Sequence, residues 1–240
     1  MNKSALCLLS VSLAISHSSA QNIPLPGWSF SGGGQGNYSG SSSEPTQADL
    51  NCFHFPSGFL SVYSRATSSN NITTVTSNTV YQLRCLAKVT GPGSGAMSLL
   101  VDGAGTSGTS IPTVANNVPL TLYSTSFTTG GPTDARVGLP LKAEFEVSSG
   151  LAGGGAVGAF TNITLTATTL IPQLQIRNTN ANHVAIYWPS NFTWYVLESS
   201  PSLQPPSWVG VTNSTFVQGT NLVVIVTADA QTRQFRLRQP

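Results

Sequence analysis

The chain has 240 residues, of which 8% are charged and 40% hydrophobic, with a formal net charge of +2. No basic stripe runs through it, which argues against nucleic acid as the partner. With 23 Gly and 15 Pro beside abundant Ser, Thr and Asn, it lacks the Ala/Glu/Lys/Leu bias of helical proteins and has the β-branched, turn-rich character of an all-β chain.

Lys3 opens a short basic stretch, and Ala5 to Ile15 form an apolar run too short to span a bilayer. Ser18 and Ala20 then place small side chains around a cleavage point. This pattern predicts an export signal over 1–20 and a mature chain beginning at Gln21, secreted, periplasmic or held at the cell surface. No second long apolar run follows, so no membrane span is expected. Cys7 leaves with the signal, and Cys52 and Cys85 remain. In an oxidising compartment such a pair is expected to form a disulfide. Closing a loop of this length contributes roughly 3–4 kcal/mol in the chain-entropy model. Two buried free thiols are the alternative.

Gln21 to about Gly40 reads as a Gly/Ser-rich opening segment. Strands are predicted at Phe59–Ser64, Val80–Thr90, Met97–Asp102, Thr121–Phe127, Leu141–Val147 and Ala159–Thr168. Several alternate cleanly: Ala143, Phe145 and Val147 face one way, Glu144 and Glu146 the other. The runs GPGSG, DGAGTSGTS, TTGGP and SGLAGGG read as turn clusters between them. Short strands at regular spacing with such punctuation predict a β-sandwich or jelly roll over 21–171. Pro172 marks the expected boundary, beyond which LQIRN, HVAIYW, TWYVLES, LVVIVTA and QFRLR predict a second, smaller β-sandwich over 172–240. Three of the chain's four tryptophans, Trp188, Trp194 and Trp208, fall in that stretch, as expected of a compact domain built around large aromatics.

The C-terminal stretch resembles a small Ig-like or fibronectin-like module that ends many exported proteins of Verrucomicrobia-type and Planctomycete-type bacteria. The residues that carry the resemblance are Trp188-Pro189, Tyr195 to Ser199, Leu203, Trp208, Val211 and Phe235-Arg236-Leu237. It implies an accessory module for stability, attachment or sorting. The N-terminal part is similar to jelly-roll carbohydrate-binding or galactose-binding-like modules of secreted bacterial proteins. That similarity rests on Pro26-Gly27-Trp28, TVYQLRCLAKV, LYSTSFTT and FTNITLTAT. Relatives of that kind often open with an acidic motif and close with Asp-Asn-Val. Here the closing strand has Thr161-Asn162-Ile163, so acidic ligands for a structural calcium are missing and no metal site is expected.

Sugars bind where an exposed aromatic face covers the CH side of the ring and polar neighbours hold the hydroxyls. Trp28, Tyr38 and Tyr63 are the candidate rings, with Asn37 and Arg65 as polar neighbours; for Trp28 the competing expectation is a core position. No catalytic residue is assigned. Glu144 and Glu146 share a strand face at a spacing compatible with glycoside cleavage, but that spacing is common on any solvated face and Lys142 stands beside them to screen the charge. His54 and His183 are far apart and lack metal-ligand spacing. No GxSxG presents a nucleophile, and the glycine runs lack a P-loop lysine. No cofactor is implied. The expected role is a non-enzymatic exported binding protein whose partner is a polysaccharide or cell-surface glycan. A structural or adhesive surface protein is the rival class, and a glycoside-active enzyme the least supported.

Overall fold

The computed structural model describes residues 19–55, 62–180, 182–228 and 233–239. The expected signal segment lies outside them apart from Ser19 and Ala20, as does the Phe59–Ser61 part of one expected strand. Every regular element among the described residues is a β-strand. The chain divides into two compact units, one of Ser19–Thr129 with Thr133–Thr169, the other of Gly130–Pro132 with the chain from Leu170 onward.

The first unit contains β1 (Ala20–Ile23), β2 (Trp28–Gly33), β3 (Gly36–Ser41), β4 (Ala48–His54), β5 (Val62–Ser68) and β6 (Thr73–Thr74). There follow β7 (Thr79–Thr90), β8 (Ser94–Val101), β9 (Ala104–Ile111), β10 (Thr121–Thr128), β11 (Pro140–Ser149) and β12 (Gly155–Thr169). They form two antiparallel sheets of a β-sandwich. The first sheet runs β10-β7-β12-β4-β3 with β1 also on β12; the second runs β2-β5-β11-β8-β9 with β6 on β11. Strand β12 serves β4 through Gly155–Phe160 and β1 through Leu165–Thr168. A bulge between these segments, with Asn162 at φ 50°, re-aims the strand.

The alternation read from the sequence is the packing of this sandwich. Tyr81, Leu83, Cys85, Ala87 and Val89 of β7 point inward, as do Leu141, Ala143, Phe145 and Val147 of β11. Phe145 and Phe160, one from each sheet, meet at 4.8 Å between ring centroids, and Trp28 stands edge-on to Phe145 at 5.2 Å. Removing either phenylalanine ring to Ala would cost about 3–5 kcal/mol.

The Gly/Ser-rich opening segment, which is not among the expected strands, supplies most of β1, β2 and β3 between Gln21 and Gly40. Its glycines are spaces for rings. A β-carbon at Gly32 would collide with Tyr38, one at Gly40 with Phe30, and one at Gly33 with Tyr63. Because Tyr38 and Gly40 belong to the edge of one sheet and Phe30 and Gly32 to the edge of the other, these contacts close one open side of the sandwich. Ser64 Oγ donates to Ser39 O across the same gap at 2.8 Å. Likewise DGAGTSGTS is a turn only at its first two residues. Asp102 and Gly103, with φ 51° and 77°, make a two-residue hairpin of the kind that requires positive φ at both positions, and the remainder is strand β9.

The expected disulfide is absent. Cys52 and Cys85 are free and buried. Cys52 pairs with Ala156 of β12, whereas Cys85 lies level with the Thr161–Thr164 bulge. That is six or more residues further along the same strand, or ~20 Å at the usual rise. A disulfide needs Cα atoms within about 7 Å. Burial pushes the Cys85 thiol up to about 12 and raises Cys52 as well. Both thiols are therefore expected to resist alkylation in the native protein, and both to react, without reductant, once it is unfolded. Mass spectrometry of the two samples checks this; an unfolded chain that takes up no label until reduced would contradict the register.

The second unit contains β13 (Gln175–Asn180), β14 (His183–Pro189), β15 (Val196–Ser200), β16 (Val209–Gly210), β17 (Thr215–Gln218), β18 (Asn221–Thr227) and β19 (Gln234–Arg238). Its sheets run β13-β14-β18-β17 and β16-β15-β19. Val184, Ile186, Trp188, Phe192, Leu197, Leu222, Val224 and Val226 form the core between them. On the other face of the three-stranded sheet, Glu198 accepts from Arg238 Nε at 2.6 Å and from Arg236 Nε at 2.8 Å, while Arg236 lies 4.3 Å over the Trp208 ring. Arg238 and then Arg236 hold the Glu198 carboxyl below the usual carboxylate range. A lowered folded value stabilises fully above the unfolded value of about 4.3 and is lost as pH falls through the folded one. Melting curves are accordingly expected to fall in acid more steeply for the natural protein than for Glu198→Gln, and equal slopes would remove Glu198 from the acid response.

Candidate functional site

Strand pleating gives each sheet an inner and an outer face, and the five residues expected to bind sugar are divided among these faces. Trp28 is 9% exposed, packs on Phe145 and donates from Nε1 to Pro45 O at 2.9 Å. It is a core residue, and the expectation of an exposed platform is corrected accordingly. Its neighbours in PLPGWSF gave no signal to distinguish the two, because the alternation over Trp28, Phe30 and Gly32 is interrupted by glycine.

Tyr63 and Arg65 do come together. They alternate on β5 with buried Val62, Ser64 and Ala66, so both project from the outer face of the second sheet. The register sets Arg65 opposite Glu146 and Thr67 opposite Glu144 on β11. Arg65 Nε donates to Glu146 Oε2 and lies 3.7 Å from Glu144 Oε1, while Thr67 Oγ1 donates to Glu144 Oε2 at 3.1 Å. Burial pulls the Arg65 guanidinium down, but the hydrogen bond and charge of Glu146, with Glu144, more than offset it, and the group stays firmly cationic. Arg65, not Lys142, is thus the cation that answers both carboxylates. Its guanidinium also sits 4.3 Å over the Tyr63 ring, and the ring itself lies across Gly33. With glycine on one side and arginine on the other, Tyr63 presents no open face for stacking.

Tyr38 and Asn37, adjacent on β3, point in opposite directions. Tyr38 is half-exposed at the seam between β2 and β3, one side of its ring on Gly32. Asn37 projects from the outer face of the first sheet, directly opposite Phe53 of β4. There the structure shows what sequence reasoning missed. Phe53 and Phe55 are 39% and 42% exposed and meet edge to face at 6.2 Å. Phe55 N–H donates to Gln35 O at 3.1 Å, carrying the β3–β4 ladder one step past β4. Asn51 projects two residues before Phe53 on the same face, with Ser39 and Val157 opposite it, and Gly155 lies opposite Phe53. The result is an exposed patch carrying two aromatic rings set edge to face, two amides, and Ser39, Gly155 and Val157 beside them. Its signal was present in NCFHF: once Leu50 and Cys52 face inward, period two sends Phe53 and Phe55 out.

His54, between them, is buried, and neither ring nitrogen has a hydrogen-bond partner among the described residues. Among those residues no three His, Cys, Asp or Glu side chains are grouped to hold a metal ion, and no helix is long and apolar enough to cross a membrane.

No protein-family model and no curated protein sequence matches the chain. Similar solved structures include a cyclase from Fischerella sp. TAU, at 12% identity over 62% of this chain and 98% of that one, with a TM-score of 0.40. The enzymatically active domain of bacteriophage CBA120 tailspike protein 4 has 18% identity over 62% of this chain and 20% of that one, TM-score 0.36. The glycoside hydrolase domain of Endo-D from Streptococcus pneumoniae R6 has 10% identity over 88% of this chain and 36% of that one, TM-score 0.34. At these values they say nothing of ligand or reaction.

The two aromatic environments separate cleanly by mutation. Trp28→Ala is expected to destabilise by about 3–5 kcal/mol, whereas Phe53→Ala, taken from an exposed patch, is expected to change stability by less than about 1 kcal/mol. Chemical denaturation of both variants checks the contrast; a mild Trp28→Ala would return that ring to the surface.

Proposed function

We propose that the chain is an exported, non-enzymatic binding protein whose first unit takes carbohydrate on the outer face of its first sheet. The observation that carries this reading is the exposed Phe53–Phe55 pair with Asn37 and Asn51 beside it. Aromatic rings cover the apolar CH faces of a sugar, and amides supply both donors and acceptors for its hydroxyls. An open patch spread over β3, β4 and β12 suits a chain lying across the strands better than a single sugar, which binds in a concave site. Of the residues first expected to bind, Asn37 belongs to this patch, whereas Tyr38 points the other way, into the seam with β2. Tyr63 and Arg65 occupy the opposite sheet as part of an ion cluster with Glu144 and Glu146.

The export signal over 1–20 supports a secreted or surface location, where polysaccharide is available. The second unit serves as an accessory module. The resemblance of its sequence to small Ig-like or fibronectin-like modules supports this reading, and its two antiparallel sheets pair β18 with β14 and β19 with β15. Glycoside cleavage has little support, because Glu144 and Glu146 are both engaged by side chains of β5. The rival reading, a structural or adhesive protein with no small ligand, draws on the burial of Trp28 and the covered ring of Tyr63.

A glycan array spanning plant, algal and bacterial polysaccharides is expected to give binding that Phe53→Ala or Asn37→Ala weakens about tenfold or more, as loss of a stacking or hydrogen-bonding contact of 1–2 kcal/mol implies. Melting temperatures of the variants should stay near that of the natural protein. Silence across the array, or binding untouched by both substitutions, would favour the rival.

A further inference from the structure

Strand β17 is an edge that displays large apolar side chains with no charge, proline or bulge to guard it; β1 is as neutral, but its exposed residues are Ala20, Gln21 and Asn22. Exposed edges are ordinarily blunted by charge, proline, bulges, shortness or cover. Here β2 and β3 cover each other through the ring-on-glycine seam, and β9 meets β10 through the Thr109 Oγ1 hydrogen bond to Ser124 O at 2.8 Å. Strand β13 has Arg177 and a register shift between Asn178 and Asn180. Strand β16 is two residues long, and β19 carries Arg236 and Arg238. Strand β17, Thr215-Phe216-Val217-Gln218, pairs only with β18, and all four residues are exposed. It has no charge, no proline and no bulge, and it displays Phe216 at 44% and Val217 at 64% exposure.

We infer that β17 pairs with β17 of a second copy of this chain, joining two four-stranded sheets across a two-fold axis. A second copy fits this edge by symmetry. In an antiparallel pairing about a two-fold axis the central residue meets its own counterpart, so a charge there repels itself; β17 is neutral throughout, and Ile225, exposed on the neighbouring strand β18, adds apolar surface. The faces also match. Phe216 lies opposite Val223 on the outer face, whereas Thr215 and Val217 lie opposite Val224 and Leu222 of the core face. An antiparallel pairing centred on Phe216 therefore sets Phe216 against Phe216 on one face, and Thr215 against Val217 on the other. Cross-strand aromatic pairs of this kind stabilise a sheet. The contact is short, so the association is weak and depends on concentration.

Sedimentation velocity of the chain from Gln21 onward over a dilution series is expected to show reversible dimerisation. Phe216→Lys, which places two cations on the axis, should raise the dissociation constant at least about tenfold without moving the melting transition. The register is tested by cross-linking. Opposed residues in an antiparallel pair have Cα atoms about 4.5–5.5 Å apart, inside the disulfide range. In the chain from Gln21 onward, which lacks Cys7, mild oxidation of Phe216→Cys should give covalent dimers, and Val217→Cys far fewer, while Cys52 and Cys85 stay buried. A monomer at all concentrations, a dimer indifferent to Phe216→Lys, or equal cross-linking at both positions would each overturn the inference. Glycan binding by the first unit is read separately from all three.

Discussion

Phe145 leaves β11 from one sheet, Phe160 leaves β12 from the other, and their rings meet in the middle of the first unit with Trp28 edge-on. Much else in that unit follows from holding this contact. A strand has only two faces, so committing Phe145 inward commits Glu144 and Glu146 outward; a slip of one residue would bury both carboxylates and expose the ring. The same commitment on β5 sends Tyr63, Arg65 and Thr67 out to meet those glutamates. On β4, the inward Leu50 and Cys52 send Phe53 out to meet Asn37. The ion cluster and the aromatic patch are thus two consequences of one packed interior, displayed on opposite sides of the sandwich.

What the sequence made legible tracks the strength of that alternation. Strands β7 and β11 keep a buried residue at every second position, and their expected limits lie within two residues of the observed ones; β10 is placed as closely although it turns Leu122 outward. Strands β1, β2, β3, β4 and β9 are absent from the expected set: in β2, β3 and β9 glycine and serine carry no facing information by themselves, and in β4 the inward face ends in Cys52 and His54. At Gly32, Gly33 and Gly40 the apolar surface that would have marked the strand is supplied by a ring from elsewhere, Tyr38, Tyr63 and Phe30. The cysteine pair misled for a related reason. Counting thiols says nothing of register, and it is the pairing of β4 and β7 with different stretches of β12 that keeps them apart.

The candidate site was legible only in part. Asn37 and Tyr38 were found by residue type, and strand geometry then separated them onto different faces. Trp28 has the composition of a platform and the surroundings of a core. Phe53 and Phe55 interleave with Cys52 and His54, and the alternation that turns Leu50 and Cys52 inward points both rings outward. In the second unit, Trp208 and Arg236 of the resemblance prove to be parts of one structure, the guanidinium lying on the indole and reaching Glu198.

Strand β12 is the last strand of the first unit and also the centre of its first sheet, where it separates β7 from β4 and receives β1. Its position sets a timetable. A chain made from its N-terminus can form the β3–β4 hairpin and the β7–β10 pair early, but these remain two fragments with nothing between them. Both the sheet and the inter-sheet contact wait for residues 155–169, by which point every other strand of the unit has been synthesised. The fold is therefore completed from the middle outward and from the end of the chain backward, the long-range order of assembly that makes β proteins slow to fold. A chain emerging through a membrane would pass most of this unit across before it could become rigid.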